Sequence, residues 1–352
     1  MSGREHLVSW LAPLAPLYGG AVALRNLLYE RGIFPAHHLS VPVLSVGNLT
    51  TGGTGKTPMV AMVAGLLARR GARPVIVSRG YGGSNDGGAR VVSRGNGALA
   101  GPTEVGDEPV MLAGLCDGVP VIVSRRRRDG GELAVSMFQA GCVILDDGFQ
   151  HRALARDLDI LLLDGVEPFG NGRLLPAGHL REPLSSMSRA GAIVITRSDL
   201  SGPGALEAIA RQRDAFCARA PVFHARTRPV AVVDAALGDV RPLESLRGAR
   251  TVCFAGIAHP ERFFRDAEAA GCMVVETIRF PDHHRFSDAE LSRVAAAAAA
   301  ARADIVLTTE KDLSRMADAA ASKRIEPLLA LRVEMSIDED TAFASLLLRA
   351  VP

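Results

Sequence analysis

The chain has 352 residues, with 40 Lys and Arg against 38 Asp and Glu, a formal net charge of +2, and 48% hydrophobic against 22% charged residues. This balance excludes an intrinsically disordered chain and gives no support to a non-specific polyanion binder; the 5% aromatic content argues against stacking platforms for single-stranded nucleic acid. At this length a single core is strained, so two domains are expected.

Leu7 to Leu24 carries no charged residue. As a helix it would span about 27 Å, short of the ~30 Å hydrocarbon core of a bilayer. Pro13, Pro16 and the Gly19-Gly20 pair suit an interrupted helix better than a clean span. Two readings stand side by side: a core-packed helix, or one lying on a membrane surface with Trp10 and Tyr18 at the interface. A cleaved signal peptide is disfavoured because the nucleotide motif that follows needs cytosolic ATP.

Short apolar runs then alternate with helical stretches. Val41–Val46 reads as a buried strand, followed by a Gly-rich loop and a helix from about Thr57 to Arg70. Pro74–Ser78, Val119–Val123, Cys142–Leu145, Ile160–Asp164 and Ala192–Thr196 are further continuous apolar runs. Such runs suit strands covered on both faces, as in a parallel sheet with crossover helices. After a β segment and linker over 226–250 the rhythm restarts with Thr251–Ala255, Met273–Glu276 and Asp304–Thr308. The run Ala295–Ala301 reads as helix filler. The expected fold is α/β: a P-loop NTPase-type parallel sheet with flanking helices, plus a smaller α/β C-terminal domain. The expected division is an N-terminal helix region at 1–35, a core at 36–225 and a C-terminal domain at 226–352. The five cysteines are odd in number and hold no C-x-x-C, so they read as reduced, buried thiols.

Thr50-Thr51-Gly52-Gly53-Thr54-Gly55-Lys56-Thr57 follows a predicted strand and opens a predicted helix, the context a phosphate-binding loop requires. Glycines let backbone N–H groups turn inward around phosphate oxygens, and the helix N-terminus adds its positive end. Lys56 places a charge on the β- and γ-phosphates, and the Thr57 hydroxyl is a ligand for Mg²⁺. Thr50 stands where the strict pattern has glycine. Asp146-Asp147 closes the strand Cys142–Leu145, where a carboxylate holding Mg²⁺ sits in such folds. Gly148-Phe149-Gln150-His151 adds polar groups at the same edge. Asp107-Glu108-Pro109 precedes a helix, with Glu108 a first-turn carboxylate; on its own this is an ordinary helix start. Asp282-His283-His284 is a metal fragment, a base with its orienting partner, or a loop cap. Asn171–Gly178 and Arg181-Glu182-Pro183 form a Gly/Pro-rich stretch whose arginines suit a phosphate-closing loop, and Arg125–Arg128 reads as a solvated loop.

Taken together, these residues make the chain similar to the tetraacyldisaccharide 4′-kinase family, the lipid A 4′-kinases. The resemblance rests on LYERGIFP, VPVLSVGNLTTGGTGKTP, VSRGYGG, VGDEP, DDGFQHR, PFGNGRLLPAGHLREP, DHHRFS and TTEKD, which occur in that order over roughly residues 10 to 312. It implies transfer of the γ-phosphoryl of ATP, with Mg²⁺, to the 4′-hydroxyl of an acylated glucosamine disaccharide 1-phosphate, giving lipid IVA in lipid A biosynthesis. It further implies a monomer on the cytoplasmic face of the inner membrane, with an interfacial N-terminal helix and no nucleic-acid partner. The resemblance casts Asp107 as the base, His283 as its orienting partner with His284 as rival, and Lys56 as the catalytic cation. It places Thr57, Asp146, Asp147 and Glu108 at the metal. Thr50 through Thr57, Gln150, His151 and Arg181 fall at the nucleotide. The competing classes are a partitioning-type switch ATPase, which carries an early signature lysine where this chain has Thr50-Thr51-Gly52-Gly53, and a GTPase metallochaperone. The latter would carry a guanine-reading N-K-x-D; the nearest stretch, Thr196-Arg197-Ser198-Asp199, lacks the Asn, and no Cys/His metal cluster accompanies it.

Overall fold

The structure, a computed structural model, describes residues 12–84, 88–235, 238–282, 284–316 and 325–351. Its strands are β1 (Val43–Asn48), β2 (Pro74–Ser78), β3 (Arg90–Ser93), β4 (Val121–Val123), β5 (Cys142–Asp146), β6 (Leu158–Asp164) and β7 (Ala192–Thr196). They continue as β8 (Val222–Asp234), β9 (Val240–Pro242), β10 (Arg250–Ala255), β11 (Met273–Arg279), β12 (Ile305–Thr309) and β13 (Leu328–Ile337). The helices are α1 (Ala15–Glu30), α2 (Lys56–Arg69), α3 (Pro102–Val105), α4 (Asp107–Leu115) and α5 (Arg127–Phe138). After them come α6 (Pro203–Phe216), α7 (Pro260–Ala269), α8 (Asp288–Ala300), α9 (Glu310–Arg315) and α10 (Asp340–Ala350).

All the strands join one sheet, in the order β11-β10-β12-β13-β8-β7-β6-β1-β5-β2-β4-β3, with β9 on the side of β8. The continuous apolar runs become parallel strands buried along their length: β1, β2, β5, β6 and β7 show no exposed residue. Helices on both faces provide that burial. The sheet divides into a larger lobe from β3 to β7 and a smaller one from β13 to β11, and β8 belongs to both. Its residues Val222–His224 pair parallel with β7, and Ala225–Asp234 pair antiparallel with β13. The expected boundary at 225/226 therefore falls inside a strand. The chain also returns across it at the end. Met335, Ile337, Phe343, Ala344 and Leu347 share the larger lobe's core with Met59, Val60 and Val63 of α2. The smaller lobe has its own core around Phe254, Phe263, Phe264 and Leu291. All five cysteines are buried and unpaired, as composition suggests.

α1 has an inverted amphipathic character. The face packed on the protein is largely polar: the Tyr18 hydroxyl donates to the Arg181 carbonyl at 2.7 Å, Arg25 pairs with the fully buried Glu182, and Asn26 reaches Ser186 at 3.3 Å. The opposite face carries Leu14, Leu17, Leu24 and Leu27, with Leu17 71% and Leu24 57% exposed, and Ile33 and Phe34 extend the apolar surface. Spacings of three and seven residues put these leucines on one side of the helix. Among the described residues no helix is long and apolar enough to cross a membrane.

Candidate active site

The site is built at the C-terminal ends of the parallel strands, where open α/β sheets take their ligands. A cavity of about 610 Å³ lies there, lined from both lobes. The first wall is the loop between β1 and α2. Gly55 caps α2 with φ 76, a left-handed conformation glycine adopts without steric cost, and Gly52 through Thr57 face the cavity. Asn48, at the end of β1, braces this loop. Its amide donates to Thr54 Oγ1 at 2.8 Å, its Oδ1 takes a 3.4 Å contact from Lys56 Nζ, and its backbone carbonyl accepts from Gln150 Nε2 at 2.8 Å. The loop is thus ordered by its own residues, with its N–H groups and the α2 dipole aimed at one place.

Asp146 and Asp147 end β5 beside it. Asp146 is buried; its Oδ2 accepts from Ser78 Oγ at 2.7 Å, and Arg127 donates to its backbone carbonyl at 2.8 Å. Burial, with Glu108 and Asp147 nearby, pushes the Asp146 carboxyl up to about 7. Asp147 sits at φ 51, uncommon for a residue with a Cβ, and so turns its carboxylate into the cavity. Arg181 donates to its Oδ2 at 2.7 Å and Lys56 lies 3.8 Å from its Oδ1. Burial raises Asp147, but these two cations outweigh it and hold the carboxyl below the usual carboxylate range. Asp146 Oδ1 and Asp147 Oδ1 are buried and accept no hydrogen bond among the described residues. Two orphaned carboxylate oxygens near a threonine hydroxyl form a hard oxygen set, as Mg²⁺ requires. No group of three His, Cys, Asp or Glu side chains converges into a closed cage among the described residues. Mg²⁺ in phosphoryl-transfer sites is held by one or two carboxylates, substrate phosphates and water, so the residues present fit it.

The second wall is α4 and α9. Gly106 takes φ 93 to turn the chain into α4, and a Cβ there would lie 2.7 Å from the Tyr81 carbonyl. Asp107 and Glu108 follow at the first turn and line the cavity. From the smaller lobe, Arg315 Nε donates to Asp107 Oδ2 at 2.9 Å, with its side chain 5% exposed. Arg315 is held in turn by the Gly256 carbonyl at 2.9 Å and Asp312 Oδ1 at 3.2 Å. Asp312, fully buried, accepts from the Gly256 N–H at 3.0 Å and from Thr309 Oγ1 at 2.8 Å. The TTEKD stretch, whose role the sequence leaves open, therefore caps α9 through Thr309 and aims Arg315 across the lobes at Asp107.

The structure brings Gly52, Gly53, Thr54, Gly55, Lys56, Thr57, Asp107, Glu108, Asp146, Asp147 and Arg181 to one cavity. It places four expected nucleotide residues outside its lining. Thr50 is buried in a bridge to Leu180, and the Thr51 N–H donates to the His179 carbonyl. Gln150 spends its amide on Asn48. His151 lies half-buried among Arg127, Arg156 and Arg79; burial and these cations lower it to about 4, so it is neutral near pH 7. The rival histidine, His284, contacts Glu290 Oε2 at 3.0 Å and stacks on Phe280. His283 lies outside the described residues, as do Trp10 and the first part of the uncharged N-terminal run. Sequence reading missed Asn48 as a brace and Arg315 as the partner of Asp107. No local signal marks Arg315, whose partner lies 208 positions away in sequence.

Residues 7–352 match the profile of the family described as tetraacyldisaccharide-1-P 4′-kinase. A tetraacyldisaccharide 4′-kinase of Anaeromyxobacter dehalogenans (strain 2CP-C) is 48% identical over 295 residues, 84% of this chain and 77% of that protein. One from Syntrophus aciditrophicus is 41% identical over 300 residues, 84% of this chain and 80% of that one. A crystal structure of LpxK from Aquifex aeolicus in complex with ATP superposes with a TM-score of 0.79 at 32% identity, covering 98% of this chain and all of that one.

Proposed function

The chain belongs to the tetraacyldisaccharide-1-P 4′-kinase family, and from that premise we propose how its cavity performs the transfer. The enzyme moves the γ-phosphoryl group of ATP to the 4′-hydroxyl of a tetraacyldisaccharide 1-phosphate, a step of lipid A biosynthesis. Phosphoryl transfer asks a protein for positioning and charge neutralisation more than covalent chemistry.

In our reading the N–H groups of Gly52 through Gly55 and the start of α2 cradle the phosphates, and Lys56 exchanges its loose contact with Asp147 for β- and γ-phosphate oxygens. Thr57, Asp146, Asp147 and Glu108 would hold Mg²⁺, which would supply positive charge to offset the charge developing on the phosphates. Burial, with Glu108 and Asp147 nearby, raises the Asp146 carboxyl to about 7. Asp107 accepts the proton of the 4′-hydroxyl while the new O–P bond forms and the bond from the γ-phosphorus to the bridging oxygen breaks, releasing ADP. His283 is the second partner of Asp107 in this scheme. Because Asp107 stands on the larger lobe and Arg315 on the smaller, the site is complete only with the lobes together, which limits water attack on ATP. The outward leucines of α1 rest on the inner membrane's cytoplasmic face, beside the apolar acceptor.

The observation that carries this reading is the convergence of Lys56, Asp147 and Asp107 on one cavity from three separate segments. Transfer from labelled ATP to the lipid acceptor in detergent tests it. Asp107→Ala is expected to lose about 10³-fold in kcat while binding of an ATP analogue survives. Near-normal kcat in that variant removes Asp107 as the base, and ATP hydrolysis without transfer by the wild type favours a switch ATPase.

A further inference from the structure

Helix α9 carries four charged side chains, and three have counter-ions. Glu310 accepts from Arg332 at 2.7 Å, and Asp312 pairs with Arg315, which also holds Asp107. Lys311 differs. Its side chain lines the cavity and is half-buried, yet among the described residues no carboxylate lies within 4.0 Å of its ammonium. Burial lowers its pKa, and Arg315 adds to that, while Asp282, Glu108 and Asp107 act the other way. Lys311 lines the α9 wall of the same cavity that the phosphate loop lines from the larger lobe. Withdrawing an ammonium from water without a counter-ion is costly, and a protein bears that cost where a ligand supplies the missing charge. The neighbours of Lys311 on its own helix are engaged, so none of them swings round to neutralise it.

We propose that Lys311 is a second phosphate-binding cation of the reaction, donating from the smaller lobe to a phosphate oxygen of the reacting pair. The inference rests on the kinase reading above. Lys56 serves the phosphates from the larger lobe; Lys311 meets them from the other side only when the lobes are together. The oxygen belongs to the γ-phosphoryl group in transit or to the 1-phosphate of the acceptor, and the two sources are separable.

Steady-state transfer to a tetraacyldisaccharide 1-phosphate in detergent is to be measured for the full chain and for Lys311→Met and Lys311→Arg. Thermal melting and binding of a fluorescent ATP analogue accompany each. Lys311→Met is expected to lose about a hundredfold in kcat/KM at unchanged melting temperature and unchanged analogue affinity. Lys311→Arg, which keeps the charge but takes no proton, is expected to recover at least about a tenth of wild-type activity. A loss confined to kcat that persists with an acceptor lacking the 1-phosphate assigns the oxygen to the transferred group. A loss in the acceptor KM that vanishes with that acceptor assigns it to the 1-phosphate. Wild-type kcat and KM values in Lys311→Met overturn the inference. Equal inactivity of the Met and Arg variants overturns it too, since charge is then not what matters. A wild-type protein that phosphorylates no acceptor sinks the kinase reading itself, an outcome distinct from either.

Discussion

The two walls of the cavity handle charge in different ways. On the phosphate-loop wall, Lys56 and Arg181 face Asp147 and pair with its carboxylate. On the α9 wall, Arg315 is tied to Asp107, while among the described residues no carboxylate lies within 4.0 Å of the Lys311 ammonium. In the proposed reading, the first wall exchanges partners when nucleotide and metal arrive, and the second holds the proposed proton acceptor, Asp107, through Arg315. Binding machinery and positioning machinery are thereby divided between lobes that meet along β8 and β13.

The largest test of this division is Lys56→Ala. It strips the first wall of its main cation and leaves Asp147 with Arg181 alone, and kcat is expected to fall on the order of 10³-fold. Unchanged steady-state kinetics would contradict the phosphate-loop assignment. A smaller effect is expected from Arg315→Met, about tenfold to a hundredfold in kcat with the KM for ATP unchanged, because the variant disturbs the aim of Asp107 and not the nucleotide. Arg315→Lys should restore part of the loss. If the KM for ATP rises instead, the walls do not divide the work as described. The smallest effect belongs to a residue on neither wall. Leu17→Asp alters a side chain that is 71% exposed, so detergent-based turnover should stay at the wild-type level. Cosedimentation with anionic vesicles should weaken about tenfold, the worth of one leucine withdrawn from an apolar phase. Equal vesicle binding by both proteins would argue that the leucine face of α1 meets something other than lipid.

The walls also differ in how far they can be read from the chain. The phosphate loop is contiguous: a strand, a glycine-rich turn and a helix start lie within fifteen residues of sequence order, and each part constrains the next. Asp146 and Asp147 are legible for the same reason, as acids ending an apolar run. Arg315 is not, because its partner Asp107 lies 208 positions away and nothing local distinguishes one helical arginine from another. Gln150 and His151, expected at the nucleotide from a specific motif, lie outside the cavity lining: Gln150 braces Asn48 and His151 sits among Arg127, Arg156 and Arg79. The larger-lobe strands other than β3 were legible from their apolar runs. β13 and α10 were not among the predicted elements, since the mixed pattern of Leu328–Ile337 reflects a strand with a different environment on each lobe. For α1, lack of charge left core and membrane readings level. The helix packs on the protein through Val22, Asn26 and the hydrogen bonds of Tyr18 and Arg25, a largely polar set that a hydropathy count does not treat as core.

The return of α10 to the larger lobe bears on how the enzyme is made. Phe343, Ala344 and Leu347 fill the space beside α2, so the helix that carries Lys56 lacks one side of its packing until residues 340–350 have left the ribosome. Proteins emerge N-terminus first, and most lobes of this kind close as soon as their own segment is out. A chain cut short before α10 would leave this apolar α2 surface uncovered, the kind of exposed surface that chaperones and proteases recognise.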